Sequence, residues 1–151
     1  MSTEQRLEYM HPSVLAYLGD AAYELHVRQA MVATGEEHSD MLHRKAVYFV
    51  RAESQAAAIK ALLPELSAEE QALVKRARNK KVSSQPRHAD PVSYKWATAF
   101  EALLGYWVLK GEEQKVKDFS LRAMDIIRKS RIPERHPQKP DPVPVEKAQE
   151  E

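Results

Sequence analysis

The sequence predicts an all-α fold, and three observations carry that prediction. Glycine is scarce, with 4 residues in 151, while Ala, Leu, Glu and Lys, which cost little in a helix, are common. No stretch alternates apolar and polar residues as a half-buried strand would. Apolar residues instead recur at three- and four-residue spacing between recognisable helix start and stop signals. Residues 1–131 are expected to form one helical domain and residues 132–151 a disordered tail.

The elements follow in order. Ser13, behind Pro12, is the expected N-cap of a first helix bearing Val14, Leu18, Ala21, Ala22 and Leu25 and ending near Ala33, where Gly35 stops it. One long second helix is expected from Ser39 or Asp40, through Leu42, Ala46, Val47, Phe49, Val50, Ala57, Ile59 and Leu62, to Pro64. Ser67-Ala68-Glu69-Glu70 reads as a capping box, in which the serine and the glutamate satisfy each other's free backbone N–H groups. The third helix that it opens fades by about Arg78. Asp90-Pro91 supplies a cap and a first-turn proline for a fourth helix, which reaches about Lys110 and stops at Gly111. A last helix, Glu112 to about Arg131, has acids in its first turn and Arg128, Lys129 and Arg131 in its last, matching the helix dipole. Beyond Ile132, five of the nine prolines stand among charges, a composition that cannot bury a core.

Composition narrows the function classes. The chain is 43% hydrophobic and 30% charged, and no run approaches the roughly 18 apolar residues of a spanning helix. The first residues carry Glu4, Arg6 and Glu8 and no apolar run, so no secretory signal is read there and a cytoplasmic location is expected. With no cysteine, disulfide scaffolds, thiolate zinc sites and cysteine nucleophiles are excluded. The six histidines form no i,i+4 pair, and surface or capping positions are expected for them. The net charge of +1 conceals an asymmetry. Residues 1–74 hold 6 Lys/Arg against 11 Asp/Glu, a net of −5, whereas residues 75–135 hold 15 against 7, a net of +8. A basic half of this kind suits a polyanionic partner, although solvated helix faces would look the same.

Two acids break the apolar pattern. Asp20 follows Gly19 inside the first helix, in YLGDAAYEL, with Glu24 one turn on. Glu101 lies in TAFEALLGYWVL, the most hydrophobic stretch of the chain, with Gly105 one turn on. Read singly, each is equally a charged helix edge beside a small packing residue. If the two helices cross at their glycines, however, the acids meet, and paired carboxylates either share a proton or bind a hard cation such as Mg²⁺. The third feature is VKRARNKKVSSQPRHAD. From Lys75 to His88 it holds six Lys/Arg and no acid. Lys75, Arg76, Arg78, Asn79, Lys80, Lys81, Ser83, Ser84, Arg87 and His88 are the candidate contacts to phosphate oxygens. The lack of aromatics among them argues against stacking on single strands.

These residues carry a resemblance. LAYLGDAAYEL is similar to the first acidic motif of the ribonuclease III endonuclease domain, and TAFEALLGYWVL to its second. The run RARNKK…PRHAD…WATAFEALLGY resembles the short bacterial branch of that family, Mini-ribonuclease III, which lacks a double-stranded-RNA-binding domain. The likeness extends from about Pro12 to Lys129 and implies an all-α homodimer that cleaves double-stranded RNA with Mg²⁺, or with Mn²⁺ in its place. Asp20 and Glu101 match the family's catalytic, metal-binding acids. Two further acids of the longer relatives are replaced, by Ala16 and Thr98. That leaves the number of metal ions per site open and keeps an alternative in view, an inactive RNA-binding or ribosome-associated module of the same fold. The resemblance also implies staggered cuts with short 3′ overhangs and a role in maturing the ends of large-subunit (23S) ribosomal RNA precursors, with a ribosomal protein as a candidate assistant. No separate RNA-binding domain is expected after the last helix, and the basic loop is expected to take its place.

Overall fold

The computed structural model describes residues 2, 6–7, 9–80 and 90–130. The expected tail at 132–151 and the segment 81–89 lie outside the described residues, and with them Lys81, Ser83, Ser84, Arg87 and His88. The described residues form six α-helices: α1 (Pro12–Ala33), α2 (Ser39–Val50), α3 (Ala52–Leu62), α4 (Ala68–Asn79), α5 (Pro91–Leu109) and α6 (Glu113–Lys129). A short 3₁₀ turn, Leu63–Glu65, joins α3 to α4. There is no strand among them.

Helix α5 is the centre of the fold because it is apolar on all sides. Ala97, Ala99, Phe100, Ala102, Leu103, Leu104 and Trp107 are all buried, and a helix of this kind must be enclosed by others. It lies along α1 and is flanked by α3 and α4, with α6 closing the bundle against α3 and α1. Edge-on aromatic contacts join the layers: Tyr23 meets Phe100 at 4.7 Å and Trp107 meets Phe119 at 5.1 Å between ring centroids. Buried Tyr23 also donates its hydroxyl to the Phe49 carbonyl (3.0 Å), tying α1 to the end of α2.

The capping box at Ser67 forms as the sequence indicates. Ser67 Oγ accepts from the Glu70 N–H (3.1 Å), and Glu70 Oε1 accepts from the Ser67 N–H (2.9 Å). Glu70 does more than cap, since its second oxygen accepts from the Trp107 indole (2.8 Å) and locks α4 to α5. Asp90 likewise caps α5, accepting from the Ser93 N–H (3.2 Å).

Two expectations need correction. The first helix begins two residues early: Pro12 takes the first helical position and His11 is the cap, its Nδ1 accepting from the Ser13 N–H (3.1 Å). The expected single helix from Ser39 to Pro64 is two helices, broken at Arg51, whose backbone is extended (φ −64°, ψ 153°). The reason lies in the residues that follow. Ser54 Oγ donates to the Tyr48 carbonyl (2.6 Å) and Gln55 Nε2 to the Val50 carbonyl (2.8 Å). These side chains satisfy carbonyls at the end of α2, an alternative to helix continuation open to short polar residues.

Candidate active site

The site is created by a helix crossing. Gly19 of α1 and Gly105 of α5 let the two backbones touch. A Cβ on Gly19 would overlap the Glu101 carbonyl and stand 2.8 Å from the Gly105 amide nitrogen, and one on Gly105 would overlap the Leu15 carbonyl. Asp20 follows the first glycine and Glu101 precedes the second by one turn, so the close approach brings both carboxylates to one cleft of about 390 Å³. Ser13, Tyr17, Tyr94, Gln55, Ala16 and Thr98 also line it. The glycine crossing read from the sequence is therefore present.

The electrostatics follow from that geometry. Burial pushes the Glu101 carboxyl up to about 8, with the Asp20 charge adding to the rise and Gln55 working against it. Asp20 sits at the open side of the cleft, and partial burial followed by the charge of Glu24 raises it as well. Glu24 itself is held by Arg28 at 2.8 Å. A carboxyl raised to about 8 beside a second acid is a place where a proton or a cation must sit at neutral pH.

Ala16 and Thr98 both line the cleft, so the positions where longer relatives carry extra acids are inside the site. Ala16 is buried, and the Thr98 hydroxyl is committed to the Tyr94 carbonyl (3.0 Å). Among the described residues no group of three or more His, Asp or Glu could hold a metal ion. The donor set is thus two carboxylates, which suits Mg²⁺, an ion that keeps several waters and is held by one or two carboxylates plus substrate phosphates.

None of the described basic candidates lines this cleft. Lys75 and Arg76 are exposed near the C-terminal end of α4, and Asn79 and Lys80 end it. Arg78 is half-buried. Its guanidinium stacks on Trp96 (4.8 Å to the ring centroid), and its Nε donates to Asn79 (3.1 Å). Lys60 of α3 lies over the same ring at 5.4 Å, so a basic cluster spans α3, α4 and α5 around one aromatic. The sequence reading missed Lys60, which stands alone in an alanine-rich helix. It also missed Gln55, although a polar pair at Ser54-Gln55 inside AESQAAAI was the available signal.

Residues 13–112 match the family model of the ribonuclease III domain, a class of endoribonucleases, and the acidic cleft falls within that span. The chain is similar to the Mini-ribonuclease 3 of Symbiobacterium thermophilum, at 42% identity over 116 residues that cover 77% of this chain and 89% of the relative. It is similar to that of Brevibacillus brevis, at 42% over 117 residues covering 78% and 87%. A crystal structure of a Fusobacterium nucleatum protein superposes with a TM-score of 0.69 at 30% identity, covering 82% of this chain and 96% of that one. The chain belongs to the ribonuclease III family, in its short Mini-ribonuclease 3 branch.

Proposed function

We propose that the chain is a divalent-metal-dependent endoribonuclease that cuts double-stranded RNA. The observation that carries this reading is the glycine crossing, which sets Asp20 and Glu101 on two helices in one cleft and couples their charges. Asp20 and Glu101 are the residues that would hold Mg²⁺, or Mn²⁺ in its place. Such an ion supplies Lewis-acid chemistry, lowering the pKa of water and offsetting charge on the phosphate. The protein's part is to keep two anionic oxygens fixed by a backbone contact too close for slippage. Half-buried Glu101 would give up its proton where a cation is held, beside apolar walls formed by Ala16, Ala97 and Val50.

Duplex RNA would be gripped outside the cleft by Lys75, Arg76 and Lys80 with the segment that follows them, a shape-directed contact to backbone phosphates. A homodimer supplies two such sites, one for each strand. Support for it comes from the apolar residues α1 leaves exposed, Tyr17 at 84%, Val32 at 63% and Leu25 at 56%. The natural target we favour is a large-subunit ribosomal RNA precursor, processed in the cytoplasm with a ribosomal protein assisting. No helix among the described residues is long and apolar enough to cross a membrane.

The test is incubation with long duplex RNA and with single-stranded RNA of the same sequence, with Mg²⁺ and then with EDTA. Cleavage of the duplex alone, abolished by EDTA, is expected. Binding without cleavage would favour the inactive module, for which the replacement of two acids by Ala16 and Thr98 is the specific argument. RNA ends mapped in cells with and without the protein would test the ribosomal target.

A further inference from the structure

Gln55 is the one buried polar side chain in the wall of the acidic cleft, and its position is hard to explain by packing. It is 1% exposed, among Ala56, Ala58 and Ile59 in the first turns of α3. Its Nε2 donates to the Val50 carbonyl (2.8 Å), which fixes the amide, because an oxygen turned towards that carbonyl would repel it. The same side chain reaches the Glu101 carboxyl. Its Oε1 is buried with no hydrogen-bond partner. A buried acceptor left unpaired costs on the order of 1–3 kcal/mol, and the bond to the Val50 carbonyl does not use Oε1, so that atom calls for a further partner.

We propose that Gln55 is a positioning residue of the metal site: clamped on the Val50 carbonyl, its amide orients the Glu101 carboxyl group, and its unpaired Oε1 accepts a hydrogen bond from water that a hydrated cation brings into the cleft. The inference rests on the reading of Asp20 and Glu101 as cation ligands. It explains why the break at Arg51 recurs in the chemistry. The break starts α3 where its first turn can present Gln55 to the cleft, whereas a continuous helix would carry that position elsewhere. Outer residues that orient ligands in this way typically change metal affinity by about 10–100-fold when lost.

The test measures Mn²⁺ binding to the full chain without RNA, from the loss of the free-ion electron paramagnetic resonance signal, alongside thermal unfolding. Gln55→Met keeps the volume and removes both polar atoms, and affinity should fall by about 10–100-fold. Ser54→Ala is the control. Ser54 is equally buried and supports the same break through the Tyr48 carbonyl, but it does not line the cleft. It should lower stability and leave Mn²⁺ affinity unchanged. Should Gln55→Met not fold, Gln55→Asn decides, because it keeps both amide atoms but draws them back by one methylene and should likewise weaken Mn²⁺ binding. Equal affinity for wild type and for Gln55→Met or Gln55→Asn, or an equal loss in Ser54→Ala, overturns the proposal while leaving the metal site standing. If the wild type binds no Mn²⁺ and Asp20→Asn behaves identically, the metal site itself falls and Gln55 with it.

Discussion

Gly19 and Glu101 are in direct backbone contact: the space a Cβ would need on Gly19 is occupied by the Glu101 carbonyl group. One contact thus sets both the packing of α1 on α5 and the distance between the acids. Ala normally stabilises a helix by about 1 kcal/mol relative to Gly. Here Gly19→Ala must push two backbones apart, an overpacking cost of roughly 1–3 kcal/mol or more. We expect a lower thermal midpoint and a loss of cleavage larger than the loss of folded protein. Gly105→Ala, aimed at the Leu15 carbonyl, should behave alike. An unchanged midpoint for either would contradict the crossing.

The raised carboxyl of Glu101 predicts a particular pH dependence. Its folded value of about 8 exceeds the ordinary 4.5, so between those values the native state holds a proton that the unfolded state has lost. Stability therefore falls as pH rises through that window, the slope following the difference in bound protons. In EDTA, wild type should lose thermal midpoint from pH 5 to pH 8 more steeply than Glu101→Gln. A cation displaces that proton, so stabilisation by Mg²⁺ should grow with pH across the same range. Parallel curves for the two proteins would remove Glu101 from the account.

Dimerisation is expected through the α1–α2 surface, where Val32 and Val47 border a groove of about 290 Å³ with Met31 and Leu42. Light scattering should give twice the chain mass of 17.3 kDa at micromolar concentration. Val47→Asp should shift it towards the single-chain value, because a charge at a dry interface is costly. A wild-type mass of 17.3 kDa would remove the paired-site model.

The basic cluster should govern grip and leave chemistry largely alone. Replacing Arg76, Arg78, Lys80 and Lys81 by Ala should weaken duplex binding and lower the slope of log K against log salt by roughly 0.7–0.9 per lost phosphate contact. Cleavage at saturating RNA should fall far less than in Asp20→Asn, since none of the described cluster residues lines the acidic cleft. Arg78 carries a second role as the partner of Trp96, so a triple variant retaining it should keep the wild-type thermal midpoint. An unchanged salt slope would mean the RNA is held elsewhere.

What was legible in the sequence was whatever depended on local signals. Ser67 with Glu70, and Asp90 with Pro91, announce their helices because caps act within one turn. The meeting of Asp20 and Glu101 was legible because each acid sits beside a glycine, and a glycine in an apolar helix marks close approach. The break at Arg51 was not, since it depends on Ser54 and Gln55 turning back onto carbonyls of α2, where the surrounding apolar spacing reads straight through. Lys60 was hidden for a related reason, its pairing with Trp96 across 36 positions of chain being a product of packing alone.

The central claim is that Asp20 and Glu101 form one metal-dependent centre for cutting duplex RNA. The most direct measurement is the single-turnover cleavage rate of a long RNA duplex at saturating Mg²⁺ for wild type, Asp20→Asn and Glu101→Gln, with folding checked by thermal unfolding. Each substitution removes an anionic oxygen ligand at nearly constant shape. The account predicts folded proteins whose rates fall on the order of 10³-fold or more, with duplex binding retained. Cleavage by either variant within a few-fold of wild type would contradict it.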